Sequence, residues 1–226
     1  MKQKLTFLIP AVLMLLVSCK NSDDKKNDAR NTTAAISFKL IMIQHPVADF
    51  EAWKSVYKAH DSIRLANGIL HFAIGRGTDD PTMVIVFDKI NDMAKAREFT
   101  NLPELKEAMG KAGVTGSPTY SYLDVIRNDT TIIEQRDMII VAHRVKNVDA
   151  WLKVFDKEGT NSRREYGLID RGVAIDINEP NMVYILFAIK DKEKATARLN
   201  SEDLKKIMTD AGVEGTPQFM YFSMAE

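Results

Sequence analysis

The feature that most constrains this chain is a pattern written twice. HPVADFEAW (His45–Trp53) matches HRVKNVDAW (His143–Trp151) at a spacing of 98 residues, and AGVTGSP (Ala112–Pro118) matches AGVEGTP (Ala211–Pro217) at a spacing of 99. At the second spacing residues 64–125 share 19 identities in 62 positions with their counterparts. These include Arg64/Arg163, Gly68/Gly167, Pro81/Pro180, Met83/Met182, Leu105/Leu204, Met109/Met208 and Tyr122/Tyr221. A one-residue slip between Trp53 and Arg64, where a helix end can absorb it, reconciles the two spacings. An internal repeat of this length predicts two units of one fold, 36–127 and 135–226, joined by a polar connector, 128–134.

Each unit reads as β-α-β-β-α-β. Residues 36–44 are largely apolar on both alternating faces, which suits a strand covered on both sides. Asp49 and Asn147 stand where helix N-caps belong, and Phe50, Trp53, Val56, Tyr57 and His60 follow at helical spacing. Gly68 and Gly167 mark helix ends. Strands are predicted at 69–75 and 83–87 around an Asp79-Asp80-Pro81 turn, then a helical stretch over 91–111 that Pro103 can break, then a strand at 120–126. This is the order of a ferredoxin-like unit, whose helices cover only one face of its sheet. The bare faces of two tandem units can cover each other. The predicted fold is therefore α+β, two ferredoxin-like βαββαβ units forming a pseudo-dimeric α/β barrel in one chain, with a monomer expected.

The N-terminus carries a separate message. Lys2 and Lys4 precede a 13-residue apolar run (Leu5–Val17), too short to span a bilayer, and Leu16-Val17-Ser18-Cys19 follows. This resembles the lipobox of bacterial lipoproteins, in which the cysteine is acylated and becomes the new N-terminus. Residues 1–18 are then a signal peptide, Cys19 the lipidation site and 19–35 a polar tether. Lys20, where a retention aspartate could stand, favours the outer membrane. Asn21-Ser22-Asp23-Asp24 resembles an acidic export patch of surface lipoproteins, leaving the periplasmic and surface faces both open. As the chain's one cysteine, Cys19 also leaves no internal disulfide or cysteine metal site. Loss of the leader changes the net charge from 0 to −2, so no nucleic-acid partner is expected.

The pattern H-x-V-x-[DN]-x-x-A-W, the matched Arg and Gly, the [DN]-[DE]-P turn, the PELKEAM helix (Pro103–Met109) and A-G-V-x-G-x-P together resemble a group of small bacterial proteins, some of them labelled cyclases. They belong to the dimeric α/β-barrel superfamily that includes antibiotic-biosynthesis-monooxygenase-like domains. The resemblance covers nearly all of the chain after the tether. It implies the fold, not one activity, since the superfamily holds cofactor-free oxygenases, haem enzymes and isomerases. The asparagine–tryptophan–histidine set of the haem-degrading members cannot be placed on this chain, so no haem chemistry and no cofactor is expected.

Candidate site residues are few. His71 and its counterpart Asp170 fall on predicted strands among small residues, with Ala73 and Gly75 sharing the His71 face by simple alternation. If both face one interior they form a proton-transfer pair, the catalytic reading; at a strand end in water they have no such role. His45 and His143 close the first strand of each unit, either at the barrel mouth, as acid, base or ligand group, or as junction histidines bonded to backbone. Their presence in both halves favours the structural role. Arg64 and Arg163, near a helix end, bind the last helix carbonyls or a carboxylate, or instead an acidic ligand. Tyr122 and Tyr221 are candidates to line the barrel. His60 reads as structural, Trp53 and Trp151 as core. No Cys/His cluster, phosphate loop or nucleophile elbow is present in the sequence, and no metal is expected. The leading expectation is an envelope lipoprotein binding a small apolar or aromatic molecule in its interior. The alternatives are a cofactor-independent monooxygenase or isomerase, and a structural or partner-binding envelope protein.

Overall fold

Eight antiparallel strands close into one barrel in the order β1-β3-β2-β8-β5-β7-β6-β4. The computed structural model describes residues 37–225, so Cys19 and the leader lie outside the described residues. The first half runs β1 (Phe38–Pro46), α1 (Phe50–Ala59), α2 (Asp61–Ala66), β2 (Ile69–Gly77), β3 (Met83–Ile90), α3 (Met93–Thr100), α4 (Pro103–Lys111) and β4 (Thr119–Asn128). The second runs β5 (Asp137–Val145), α5 (Val148–Glu165), β6 (Leu168–Asp176), β7 (Met182–Ile189), α6 (Lys192–Leu199), α7 (Glu202–Asp210) and β8 (Val213–Met224).

Each half is a four-stranded sheet of ferredoxin-like order, β4-β1-β3-β2 and β8-β5-β7-β6. An isolated sheet of this kind exposes two unpaired edges and one apolar face. Here the edges pair across the halves: Gly75–Gly77 of β2 with Phe222–Met224 of β8, and Leu123–Asn128 of β4 with Gly172–Asp176 of β6. The predicted pseudo-dimeric barrel is thus closed within one polypeptide, and Ala34–Glu226 forms a compact unit by itself.

Three apolar clusters follow from strand alternation. Outside the first sheet, Ile41, Val84 and Val86 pack under α1–α4 against Trp53 and Phe99. Outside the second, Ile139, Val183 and Ile185 pack against Trp151 and Leu199. Between the sheets lie Leu40, Met42, Phe87, Leu123, Met138, Ile140 and Phe222. Asp49 and Asn147 cap α1 and α5, their side chains accepting from the Ala52 and Ala150 amides at 2.7 and 2.8 Å. The 91–111 stretch divides into α3 and α4, with Pro103 at the start of α4.

The one-residue slip has a structural counterpart. The first helix of the first half breaks at His60, between α1 and α2. The matching helix of the second half is kinked at Gly159, where φ is 79° and ψ 154°. Glu158 corresponds to His60, so Gly159 is the extra residue, placed where only glycine sits without strain.

Candidate functional site

The space between the sheets is not filled. A cavity of about 560 Å³ lies there, lined by both halves and by the connector Asn128–Ile133 and Gln135. That volume lies within the range of small-molecule sites. Phe38, Leu40, Met42, Phe87 and Leu123 line it from the first half, and Met138, Ile140, Ala174, Leu186 and Phe222 from the second. Phe87 and Phe222 face each other with ring centroids 5.7 Å apart.

Two β-bulges set the lining. Register shifts occur between His71 and Ala73 in β2 and between Asp170 and Gly172 in β6, so Phe72 and Arg171 are the extra residues at equivalent places. A bulge reverses the alternation beyond it and re-aims the bulged side chain. Ile69 and His71 therefore face the helices, while Ala73 belongs to the interior cluster. The single face predicted for Ile69, His71, Ala73 and Gly75 does not exist. Phe72 and Arg171 both line the cavity.

Arg171 is the one cationic side chain of that lining among the described residues, and its side chain is 15% exposed. Its Nη1 is buried without a hydrogen-bond acceptor, 3.6 Å from the Asp129 carboxylate. The connector is tied down at the same point: the Asp129 amide donates to the Arg171 carbonyl at 2.8 Å, and the Thr131 amide to Asp129 Oδ1 at 2.8 Å. Burial pushes the Asp129 carboxyl up, but the hydrogen bonds from Thr131 and the charges of Arg171 and Arg164 outweigh it and hold the group below the usual carboxylate range. Elsewhere in the lining, the Tyr184 hydroxyl lies 3.4 Å from Ser121 Oγ, and burial raises the tyrosine pKa.

None of His71, Asp170, His45, His143, Tyr122, Tyr221, Arg64 and Arg163 lines this cavity. Strand alternation and the bulges turn the six strand residues toward the helices, and Arg64 and Arg163 stand on the helices themselves. His71 does not meet Asp170, because each lies under the helices of its own half. His71 Nδ1 lies 3.0 Å from the Tyr57 hydroxyl and 3.6 Å from Asp88 Oδ1. Asp88 is fully buried and accepts from Tyr57 at 2.7 Å. Burial, followed by the Asp88 charge, holds the Tyr57 hydroxyl protonated far above its ordinary range. Arg64 stacks 3.6 Å over the Tyr57 ring and donates to the Tyr57 carbonyl at 2.6 Å.

In the second half Arg163 stacks 3.8 Å over Phe155, donates to the Phe155 carbonyl at 2.7 Å and grips Asp170 through Nε and Nη2 at 2.8 and 2.6 Å. Both arginines thus take the helix-end carbonyl and a nearby acid, the structural alternative of the two that their spacing allows. Burial, then the Asp170 bonds, act on Arg163, and its pKa rises on balance.

His45 and His143 sit beneath the helices and not at the barrel mouth. Each ring packs against the tryptophan of its repeat, Trp53 or Trp151, at 5.5 Å between centroids. Neither ring nitrogen of either residue has a hydrogen-bond partner among the described residues, so the expected backbone bond is not formed. Burial lowers both pKa values to about 4, which keeps the rings neutral at neutral pH. His143 also borders a 70 Å³ pocket with Trp151, Glu158, Arg163 and Arg198. The Tyr122 hydroxyl bonds Thr100 on α3 at 2.7 Å, and Tyr221 packs with the outer cluster of the second half.

Arg171 is the lining residue that sequence reasoning missed. Its signal was present: Asp170-Arg171-Gly172 puts two charges and a glycine inside a strand, and glycine within a strand often marks a bulge. Among the described residues, no group of three or more His, Cys, Asp or Glu side chains could hold a metal ion, and no helix is long and apolar enough to cross a membrane.

Comparison with known proteins locates the fold. No protein-family model matches the chain, and no curated protein sequence matches it at a significant level. Among solved structures it is similar to a protein provisionally named a monooxygenase from Lactobacillus acidophilus, at 16% identity and a TM-score of 0.53 over 83% of this chain and 94% of that one. Another so named, from Fusobacterium nucleatum, gives 13% and 0.55 over 85% and 94%. An anthrone oxidase-like protein gives 13% and 0.56 over 84% and 92%. At these identities the likeness is one of architecture alone, the α/β barrel described above.

Proposed function

We propose that this protein binds a small, predominantly apolar molecule inside its barrel and is held in the cell envelope by a lipid on Cys19. The observation that carries the binding reading is the 560 Å³ cavity with its aromatic and aliphatic walls. The apolar lining supplies most of the binding free energy through removal of ligand surface from water. Of the six large apolar side chains exposed among the described residues, Phe72 and Ile132 border this same cavity, so the exposed apolar surface is partly its rim. The pairing of the two halves fits an origin by duplication, with one chain doing what needs two single-unit copies.

An oxygenase or isomerase reading, consistent with the names of the structural neighbours, needs a base against the substrate. Asp129 is the carboxylate of the lining, and holding its carboxyl low makes it a weak base. That favours binding over proton abstraction.

The test is a fluorescence titration of the Ala34–Glu226 fragment with N-phenyl-1-naphthylamine, a neutral dye that brightens in apolar surroundings. Saturable binding at one site is expected, and Ala174→Trp, which puts an indole into the cavity, should weaken it in a protein that still melts cooperatively. Dye affinity unchanged in folded Ala174→Trp contradicts the interior site. For the anchor, Cys19→Ala should move the full chain from the membrane to the soluble fraction and end labelling by an alkyne fatty acid. Labelling retained by Cys19→Ala contradicts it.

A further inference from the structure

We propose that the molecule held in the barrel carries an anionic group, in the simplest case a carboxylate, which pairs with Arg171 while the rest of the molecule lies on the apolar walls. This rests on the binding reading above and names the ligand class for the same site.

The argument starts from the bulges. The two halves place equivalent residues at the cavity, and the equivalence is broken there: Phe72 in the first half, Arg171 in the second. A purely apolar ligand has no use for a guanidinium in its wall, and a buried donor left unmade is costly. Arg171 has such a donor. Its Nη1 is buried without a hydrogen bond. Asp129 supplies charge at 3.6 Å, beyond hydrogen-bond length, and its Oδ1 is already taken by the Thr131 amide. Asp129 is also the more exposed partner, at 44% against 15% for Arg171. The pair therefore offsets the arginine's charge without using its donors.

A planar carboxylate matches the guanidinium fork, as a hydroxyl or amide does not. A cationic ligand is disfavoured, because Arg171 stands beside Asp129, the one acid of the lining among the described residues. Lys89 adds positive charge nearby, its ammonium 4.4 Å from the Phe72 ring centroid. The lining thus offers an apolar body site with one cationic contact, the counterpart of an amphiphilic anion.

The experiment displaces bound N-phenyl-1-naphthylamine from the Ala34–Glu226 fragment with decanoate and, separately, with decanol, which share a chain and differ in charge. Decanoate should displace the dye at about tenfold lower concentration than decanol. Arg171→Met should erase that preference, read as the ratio of decanoate to decanol needed, so that any change in the dye's own affinity cancels, and Arg171→Lys should keep part of it. Equal displacement by the two compounds in the unaltered protein overturns the proposal, whether or not the variants fold. A preference that persists in a folded, dye-binding Arg171→Met protein overturns it too. Failure of the dye itself to bind overturns the interior site and this inference together, so the two failures are told apart.

Discussion

The outer helical layers of this protein are alike in its two halves, and the walls of its barrel interior are not. Outside, the halves nearly coincide. Trp53 stacks on Tyr57, and Trp151 on Phe155, each with centroids 5.2 Å apart and planes 23° apart. Arg64 and Arg163 lie over those same rings. Inside, the equivalent positions Leu40/Met138, Met42/Ile140, Phe72/Arg171, Ala73/Gly172, Ile85/Tyr184, Phe87/Leu186 and Leu123/Phe222 show no identity. The outer layer must hold helices on a sheet in both halves, and one solution serves twice. The interior belongs to both halves at once, and a single chain is free to make it unsymmetrical. Two identical copies closing the same barrel must present symmetric walls. This one presents a cationic contact on one side only, which suits one unsymmetrical ligand.

The comparison can be attacked first at its matched tryptophans. Trp53→Ala and Trp151→Ala each remove a buried aromatic from an equivalent site, and each should cost about 3–5 kcal/mol in chemical denaturation. A large difference between the two would show that the layers are not energetically alike.

The matched histidines give the next effect. Both folded pKa values, about 4, lie below the ordinary histidine value of 6.5. Between these values the unfolded chain binds more protons than the folded one. Stability is therefore complete above pH 6.5 and falls as the pH drops toward 4, by up to about 3 kcal/mol for each histidine. His45→Phe and His143→Phe should each flatten that part of the pH–stability curve. An unchanged slope in the double variant would mean the rings are not held neutral by burial.

The arginine networks differ in where the acid sits, and that difference can be swapped. The first half has His71 and Asp88 where the second has Asp170 and Phe187. His71→Asp alone crowds two carboxylates, and Asp88→Phe alone removes the buried carboxylate that lies 3.9 Å from Arg64 Nε. Each should cost about 2 kcal/mol, and the double variant should recover most of the loss, since contacting residues couple by about 0.5–3 kcal/mol. Additive losses would show that the two halves do not share one arginine device. The smallest effect is expected at the extra residue. Gly159→Ala imposes a side chain on a positive φ and should cost about 1–2 kcal/mol, although a Cβ there meets nothing within 4 Å.

Much of the fold was legible because the repeat lets each half check the other. Cap residues and the glycines at the helix ends recur at matched positions, and apolar runs on both faces forced the sheets to cover each other. The site was far less legible. Strand alternation assigns faces only until a bulge intervenes, and in Leu70-His71-Phe72-Ala73-Ile74 both faces accept apolar residues, so nothing in the first half marks the slip. His71 and Asp170 drew notice as polar groups among small residues, yet each serves its own helix layer. Arg64 and Arg163 were read with two roles open, and both are found on a helix carbonyl, outside the cavity lining. Arg171 was hidden because its partner is Phe72, so a search for paired residues passes over it. In a chain of two like units, a residue such as Arg171 is most visible where the units disagree.

The most direct test of this account is a crystal structure of Ala34–Glu226 grown with N-phenyl-1-naphthylamine. The account predicts ordered dye inside the barrel, between Phe87 and Phe222 and near Arg171. Side chains packed solid through the interior, with dye only on the outer surface, would contradict it.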